Sequence, residues 1–300
     1  MKLVWNLMKR YRYWKEHLSG HNILLTGIPR SGTTLLCRLL TELPEVIALN
    51  EPLDHKFFTD PIHSEQSINQ HFEIFRRDLF FHGRALARGK DGRMVDNAFA
   101  EEKVATRQRV ITRQTILFTP PKSADFTLIM KHCAEFTLLL PQLRRSHEIF
   151  AQVRNPLAVL ASWHSVNVAV SRGRVAKSAR LNPTFHGQLN QLPDDLLTRQ
   201  LFILSWYFEQ FQEFNSERII RYEELIANPD AVIKRVARGV PIATTENIKL
   251  ENKNNNVLYQ HSNLSAVVER LLASEGAYWD FYERQDVIDL ANKMKADYGE

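Results

Sequence analysis

The segment Gly27-Ile-Pro-Arg-Ser-Gly32-Thr33-Thr34 carries the residue types that a phosphate group requires. Glycines let the backbone turn so that successive N–H groups point into one concavity, and a helix that starts where the turn ends adds partial positive charge. A short apolar run, His21 to Gly27, precedes the turn. Thr33 to Leu43 follows it with apolar residues at helical spacing and is stopped by Pro44. Strand, glycine turn, helix is the context in which such a loop binds anions. The spacing of Gly27 and Gly32 matches the pattern G-x-x-x-x-G-K-[ST]. Thr33 stands where that pattern has lysine, and a cation appears earlier, at Arg30. A nucleoside triphosphatase needs that lysine on its β- and γ-phosphates, so ordinary triphosphate hydrolysis is not expected.

A loop of this kind must be held by a sheet. Val46 to Leu49, Phe126 to Met130, Ser146 to Val153 and Arg218 to Tyr222 read as further short strands, and Pro156 to Val168, Leu196 to Phe214 and Asp230 to Arg238 as helices. Alternation of this sort implies βαβ units and a mainly parallel sheet, with ligands at the carboxyl ends of the strands. Two stretches, about 54–125 and about 165–195, break the alternation and are long for plain connections. They are expected to be helical or loop insertions over the ligand edge. The fold expected is therefore α/β, a three-layer P-loop fold with a central, mainly parallel sheet. One domain is expected over 1–300, with its core at about 21–240 and a helical region at about 241–300.

The Pro-Arg-Ser-Gly-Thr-Thr loop after a strand resembles the 5′-phosphosulfate loop of sulfotransferases, which use 3′-phosphoadenosine 5′-phosphosulfate (PAPS) as donor. Those enzymes also carry a 3′-phosphate site, an Arg-Asn-Pro-type turn after a strand with a serine eight residues beyond the arginine. Here Arg154-Asn155-Pro156 ends the fourth strand and Ser162 lies eight residues beyond Arg154. An arginine in that position can fork two hydrogen bonds onto a phosphate, and the serine adds a hydroxyl donor from the helix. The turn is weak alone, since proline is common at a first helical position, and strong beside the first loop. Met130-Lys131-His132 with Leu139 to Leu143 resembles the strand-end lysine and leucine-proline helix of the family. Arg221 to Leu225 with Asn228-Pro229 resembles the segment whose tyrosine, here Tyr222, lies near the adenine. The resemblance spans about Asn22 to Arg238. It implies donor binding by Arg30, Ser31, Gly32, Thr33, Thr34, Arg154, Ser162 and Tyr222.

Sulfuryl transfer is an in-line displacement that needs a base for the acceptor hydroxyl and positive charge for the developing anion. The family divides on the base. Asn50-Glu51-Pro52 occupies the place where protein-tyrosine and several carbohydrate sulfotransferases have a glutamate, 21 residues after Arg30. Glu51 is the expected base, since a carboxylate at a basic strand edge stays ionised at pH 7. His132 competes, but it directly follows Lys131, whereas the histidine-type pattern has one residue between them. His55 and His164 also flank the motifs. Arg30 is expected on the phosphosulfate and Lys131 at the bridging oxygen or the sulfuryl group. These cations and the helix dipole supply the positive charge, so no metal is expected. The alternatives are another P-loop enzyme, such as an ATP-dependent small-molecule kinase, and a non-catalytic nucleotide-binding protein on the same fold.

Composition bounds the rest. In 300 residues, 44% are hydrophobic and 24% charged, which supports a sizeable core. Two cysteines, Cys37 and Cys133, make no disulfide framework and no zinc spacing; a reduced, cytoplasmic setting is expected. No apolar run reaches the ~18–20 residues that span a bilayer. The basic, aromatic stretch Met1 to His17, which includes Trp5, reads either as a terminal helix packed on its own domain or as an amphipathic helix touching a membrane surface. The net charge of +5 is mild, and a broad basic face for nucleic acid is not expected. It is also local. From Ile149 to Pro193 there is no Asp or Glu, while Arg154, Arg172, Arg174, Lys177 and Arg180 are present, and the remaining 34 basic residues match the 34 acidic ones. That segment is expected to close over an anionic nucleotide, to favour an acidic acceptor, or to be a solvated basic loop. The partners expected are a nucleotide donor and a hydroxyl-bearing carbohydrate, lipid or small metabolite. Oligomeric state is left open.

Overall fold

In the computed structural model, residues 2–17, 20–101, 106–237, 250–256, 259 and 264–298 are described. Trp5's side chain, Arg238 and, within the expected C-terminal region, 241–249, 257–258, 260–263 and 299–300 lie outside the described residues.

The apolar runs at 21–27, 46–50 and 127–131 are too continuous for a strand with one wet face. They form β1 (Asn22–Gly27), β2 (Val46–Asn50) and β5 (Thr127–Lys131), and β2 and β5 are buried throughout. With β6 (Glu148–Val153) and β7 (Ile219–Arg221) they make a five-stranded parallel sheet in the order β2-β5-β1-β6-β7. The register aligns the strand ends. Asn50 pairs with Lys131, Gly27 with Gln152, and Val153 with Arg221. Alternate residues feed two separate cores. Leu24, Leu49, Met130, Ala151 and Val153 face one, and Ile23, Leu25, Ala48, Ile129 and Phe150 the other. This is the three-layer α/β arrangement that the sequence implies.

On one face α2 (Thr33–Leu40) and α11 (Pro229–Val236) pack through Leu36, Leu40, Val232 and Val236. On the other lie α3 (Pro61–His82), α4 (Ala134–Leu138), α5 (Leu140–Leu143), α6 (Pro156–His164), α9 (Leu196–Phe211), α12 (Leu264–Leu272) and α13 (Arg284–Tyr298). Helices end earlier than the periodicity predicts where the last turn tightens. Glu42 and Leu43 N–H groups bond back to Leu39 and Leu40 carbonyls, and Ser165 donates through both N–H and hydroxyl to Ser162 O, closing α6 at His164 rather than Val168.

The first insertion differs from the helix-or-loop expectation. After α3 the chain forms an antiparallel ribbon, β3 (Arg84–Gly89) and β4 (Thr112–Leu117). Its inward positions are Ala85, Ala87 and Ile116, small or single residues among polar ones, so alternation is weak in the sequence. The second insertion carries α7 (Ser178–Leu181) and α8 (Pro183–Gln191). Between β7 and α11 lies α10 (Tyr222–Ala227). Near the N-terminus, α1 (Lys2–Glu16) sets Tyr13 against Phe80 and Phe81, while Leu7, Met8, Tyr11 and Trp14 remain exposed. Among the described residues no helix is long and apolar enough to cross a membrane.

Arg76 ties α3 to the opposite end of the sheet. Its guanidinium donates to the carbonyls of Ala124 (3.1 Å), Phe126 (2.6 Å) and His21 (3.1 Å) and to Asn22 Oδ1 (2.6 Å), and it is fully buried. Burial pushes it down to about 10, and no carboxylate among the described residues pairs with it. Replacing it by methionine keeps the stem and strands four buried acceptors. The Arg76→Met chain is expected to lose about 3–5 kcal/mol in urea unfolding, with an unchanged m-value.

Candidate active site

The predicted site residues arise at the carboxyl ends of the parallel strands, in the turns that follow, or, for Thr33, Thr34, Ser162 and Tyr222, in the helices after those turns. The loop after β1 is shaped by Gln152 of β6, whose carbonyl accepts the Ile28 N–H (3.0 Å) and the Ser31 hydroxyl (3.0 Å). Gly32 has φ 96°, and a Cβ there would lie 2.6 Å from the Tyr222 ring. Only glycine fits that backbone and that approach. Arg30 also takes positive φ, at 76°. The loop delivers the N–H groups of Gly32, Thr33 and Thr34 at the start of α2, whose first hydrogen bond inside the helix is Leu36 N–H to Gly32 O. Ser31 is different. Its N–H bonds to Ile28 O and its hydroxyl to Gln152 O, so both of its donors hold the loop itself.

These residues open on a cavity of about 830 Å³. Arg30, Gly32, Thr33, Thr34, Glu51, Lys131, Arg154 and Tyr222 line it; Ser31, His132 and Ser162 do not. Arg30 donates from Nε to Ser162 Oγ (3.1 Å) and from Nη2 to Asn97 Oδ1 (3.3 Å), and its guanidinium stacks 4.6 Å above Phe99. Burial lowers it to about 10, so it stays charged at neutral pH. Arg154 joins the two motifs. Its Nη1 donates to the Arg30 carbonyl (3.1 Å), and its Nε and Nη2 reach Asn254 Oδ1 and Lys253 O, both at 2.6 Å. Tyr222 lies under it at 4.3 Å, and its hydroxyl accepts the Lys253 N–H (3.1 Å). The segment 251–254 thus closes one wall, which no motif in the sequence announced.

The other end of the cavity is built around Glu51. Its φ is 45°, and its N–H donates to Lys131 O (2.8 Å), fixing the carboxylate at the sheet edge. Lys131 Nζ lies 3.3 Å from Oε1, and Arg88 Nε lies 2.9 Å from Oε2. Burial would raise the Glu51 carboxyl, but the charges of Lys131 and Arg88 oppose it, and the group is held below the ordinary glutamate value. Burial likewise opposes the charge on Lys131, and the neighbouring Cys133, Glu51 and Cys37 raise it. The two thiols are themselves pushed up by burial, Cys37 to about 12. Glu51 is therefore the neighbour charged at neutral pH. Asn50 completes the clamp, accepting from Lys131 Nζ (3.1 Å) and donating to the Arg88 carbonyl (3.2 Å).

His132 points away from this centre. Only 2% of it is exposed; Nε2 accepts the Leu53 N–H (3.2 Å), and the ring sits between Phe58 and Phe136. Its Nδ1 lies 3.6 Å from buried Glu135. The imidazole that lines the cavity is His55, whose Nδ1 lies 3.2 Å from the same carboxylate and whose ring is held above the ordinary histidine value by that bond. The contacts from buried His132 and exposed His55 outweigh desolvation and keep Glu135 far below the usual carboxylate range. His164 bonds Gln200 (2.8 Å) outside the cavity.

The basic segment after α6 takes the solvated alternative on its charged side. Asn167 to Val170, Val175 and Ala176 line the cavity, whereas Arg172, Arg174 and Arg180 are exposed and, with Lys177, lie off its wall. Gly173 turns at φ 61°, burying the valines on either side and sending the arginines outward. This stretch gives the cavity an apolar wall. Sequence reasoning also missed Arg88, Asn97, Arg107 and Glu135, which stand in the insertions or outside any motif. Among the described residues no three His, Cys, Asp or Glu side chains converge as a metal site.

Comparison with known proteins gives one family. A sequence model described as "Sulfotransferase family" matches residues 22–246. No curated protein matches the chain. Among solved structures, the chain is similar to the sulfotransferase STF1 from Mycobacterium tuberculosis H37Rv, with 14% identity and a TM-score of 0.35 over 89% of this chain and 82% of that one. It is also similar to the sulfotransferase domain of the Synechococcus PCC 7002 olefin synthase, with 15% identity and a TM-score of 0.35 over 91% and 93%.

Proposed function

The chain belongs to the sulfotransferase family, and from that premise we propose that it moves a sulfuryl group from PAPS to the hydroxyl of a carbohydrate, lipid or small metabolite, leaving 3′,5′-adenosine bisphosphate. The observation that carries this reading is the pairing of two cation clusters in one cavity. Arg30 and the N–H groups at the start of α2 serve the 5′ end and Arg154 serves the 3′ end, tied together by the bonds from Arg30 Nε to Ser162 Oγ and from Arg154 Nη1 to the Arg30 carbonyl. A nucleoside triphosphate has no use for the second cluster. Tyr222, packed on Arg154 and Gly32, supplies the aromatic face for the adenine.

When bound, the donor supplies an activated sulfuryl group with a phosphate as leaving group. The protein does the rest. Glu51 accepts the proton of the acceptor hydroxyl as that oxygen forms its bond to sulfur. Lys131 and Arg30 stabilise the negative charge that gathers on the departing phosphate oxygen, with the dipole of α2 adding to them. Asn50 and Arg88 hold Lys131 and Glu51 in mutual reach. The acceptor lies between the Glu51 carboxylate and the apolar wall of Val168, Val170, Val175 and Ala176.

Calorimetric titration with adenosine bisphosphate, magnesium ATP and AMP tests the donor. The bisphosphate is expected to bind at least tenfold more tightly than either of the others. Preference for magnesium ATP would overturn the reading in favour of a kinase.

A further inference from the structure

Arg107 belongs to no motif, yet it is among the most deeply buried side chains of the protein. It lies within the first insertion, between β3 and β4, bridged to Val166 just past α6, and only 2% of it is exposed. Its N–H donates to Ser165 O (2.9 Å) and its Nη2 to Ser165 Oγ (2.8 Å), while its Nε is buried with no partner. No carboxylate among the described residues forms an ion pair with it. The same holds for Arg30 and Arg154. All three line one cavity, and each acts electrostatically on others of the set. Glu101 and Glu223 act on Arg107 and Arg154 only from beyond ion-pair distance, and burying three guanidinium groups together with no ion-pair partner is costly. Sites of this kind retain their cations for an anion that arrives.

Tyr259 marks where the anion belongs. Its ring lies 5.9 Å from the Arg107 guanidinium, and its phenol bonds to Ser162 and Arg154. Burial should raise a phenol, but Arg154, Arg30, the Ser162 bond and Arg107 together pull it below the ordinary tyrosine value. A buried phenol acidified in this way reports strong positive potential at its oxygen.

We propose that Arg107 is a ligand of the donor's 3′-phosphate, completing with Arg154 and Ser162 a site that selects 3′-phosphorylated nucleotides over their 5′-monophosphate counterparts. The third cation thereby comes from the insertion between β3 and β4. This rests on the donor reading above. It adds a planar, five-donor group whose orphaned Nε and remaining N–H groups match phosphate oxygens.

The test is a calorimetric comparison of the full-length parent, Arg107→Gln and Arg107→Lys, each titrated with 3′,5′-adenosine bisphosphate and with AMP. The parent is expected to prefer the bisphosphate. Arg107→Gln is expected to cut that preference by about 10–100-fold while AMP affinity changes less than threefold. Arg107→Lys keeps the charge and much of the packing, so it folds even if the glutamine chain does not; an intermediate preference is expected for it. Equal losses for both nucleotides, or an unchanged preference, would overturn the role of Arg107. A parent with no preference for the bisphosphate would instead overturn the donor reading on which it stands.

Discussion

Glu51→Gln is expected to lower turnover by about 10²–10⁴-fold, with bisphosphate affinity changed less than threefold. The carboxylate lies against Lys131 Nζ and Arg88 Nε and lines the cavity without touching Arg154 or the loop after β1. Glutamine keeps its volume and one acceptor oxygen for Lys131, so the site retains its shape. The basic lone pair is what disappears. The sign of the pH dependence follows from the same contacts. Lys131 and Arg88 hold the Glu51 carboxyl below its ordinary value, so the base is already deprotonated at neutral pH. The acid limb of kcat is expected below the usual glutamate range, with activity flat above it until another group titrates. Equal turnover in the glutamine chain would remove Glu51 as base and turn attention to His55, the cavity imidazole paired with Glu135. His132, buried and bonded to the Leu53 N–H, is badly placed for that duty.

Arg154→Ala is expected to weaken bisphosphate binding by about 10²–10³-fold, in line with the 2–5 kcal/mol lost when a buried charged hydrogen-bond partner is truncated. Three effects combine. A phosphate ligand is lost. The carbonyl of Arg30, fixed at positive φ, loses its donor. Asn254 and Lys253 lose the anchor that holds the closing wall. The check is the rise in thermal midpoint at saturating bisphosphate. The parent gains about 2.7 kcal/mol at a hundredfold excess over Kd, and the alanine chain should gain almost none. A full ligand-induced shift in Arg154→Ala would place the 3′-phosphate elsewhere.

What the sequence made legible follows period and context. Continuous apolar runs marked β1, β2, β5 and β6 because strands buried on both faces need them. The glycine turn and the Arg-Asn-Pro turn were readable because each needs special backbone geometry at fixed spacing. The β3–β4 ribbon was missed because one face is polar and the inward residues are mostly alanines. Arg88, Arg107, Glu135 and Asn254 were missed for another reason. Each meets its partner across a long sequence separation, such as Arg88 Nε on Glu51, Arg107 Nη2 on Ser165, His55 on Glu135 or Arg154 Nε on Asn254. No local pattern encodes such a meeting. The basic stretch at 149–193 illustrates the converse, since its charge excess was plain but the side on which the arginines stand was set by the turn at Gly173.

Sulfuryl transfer itself is read by incubating the protein with ³⁵S-labelled PAPS and a panel of glycans, phenols, sterols and small alcohols, then following label in product and bisphosphate release together. Stoichiometric transfer to at least one hydroxyl acceptor is expected, slowed by about 10²–10⁴-fold in the Glu51→Gln chain. Tight bisphosphate binding with no label transferred to any acceptor, or phosphate transfer from ATP in its place, would contradict it.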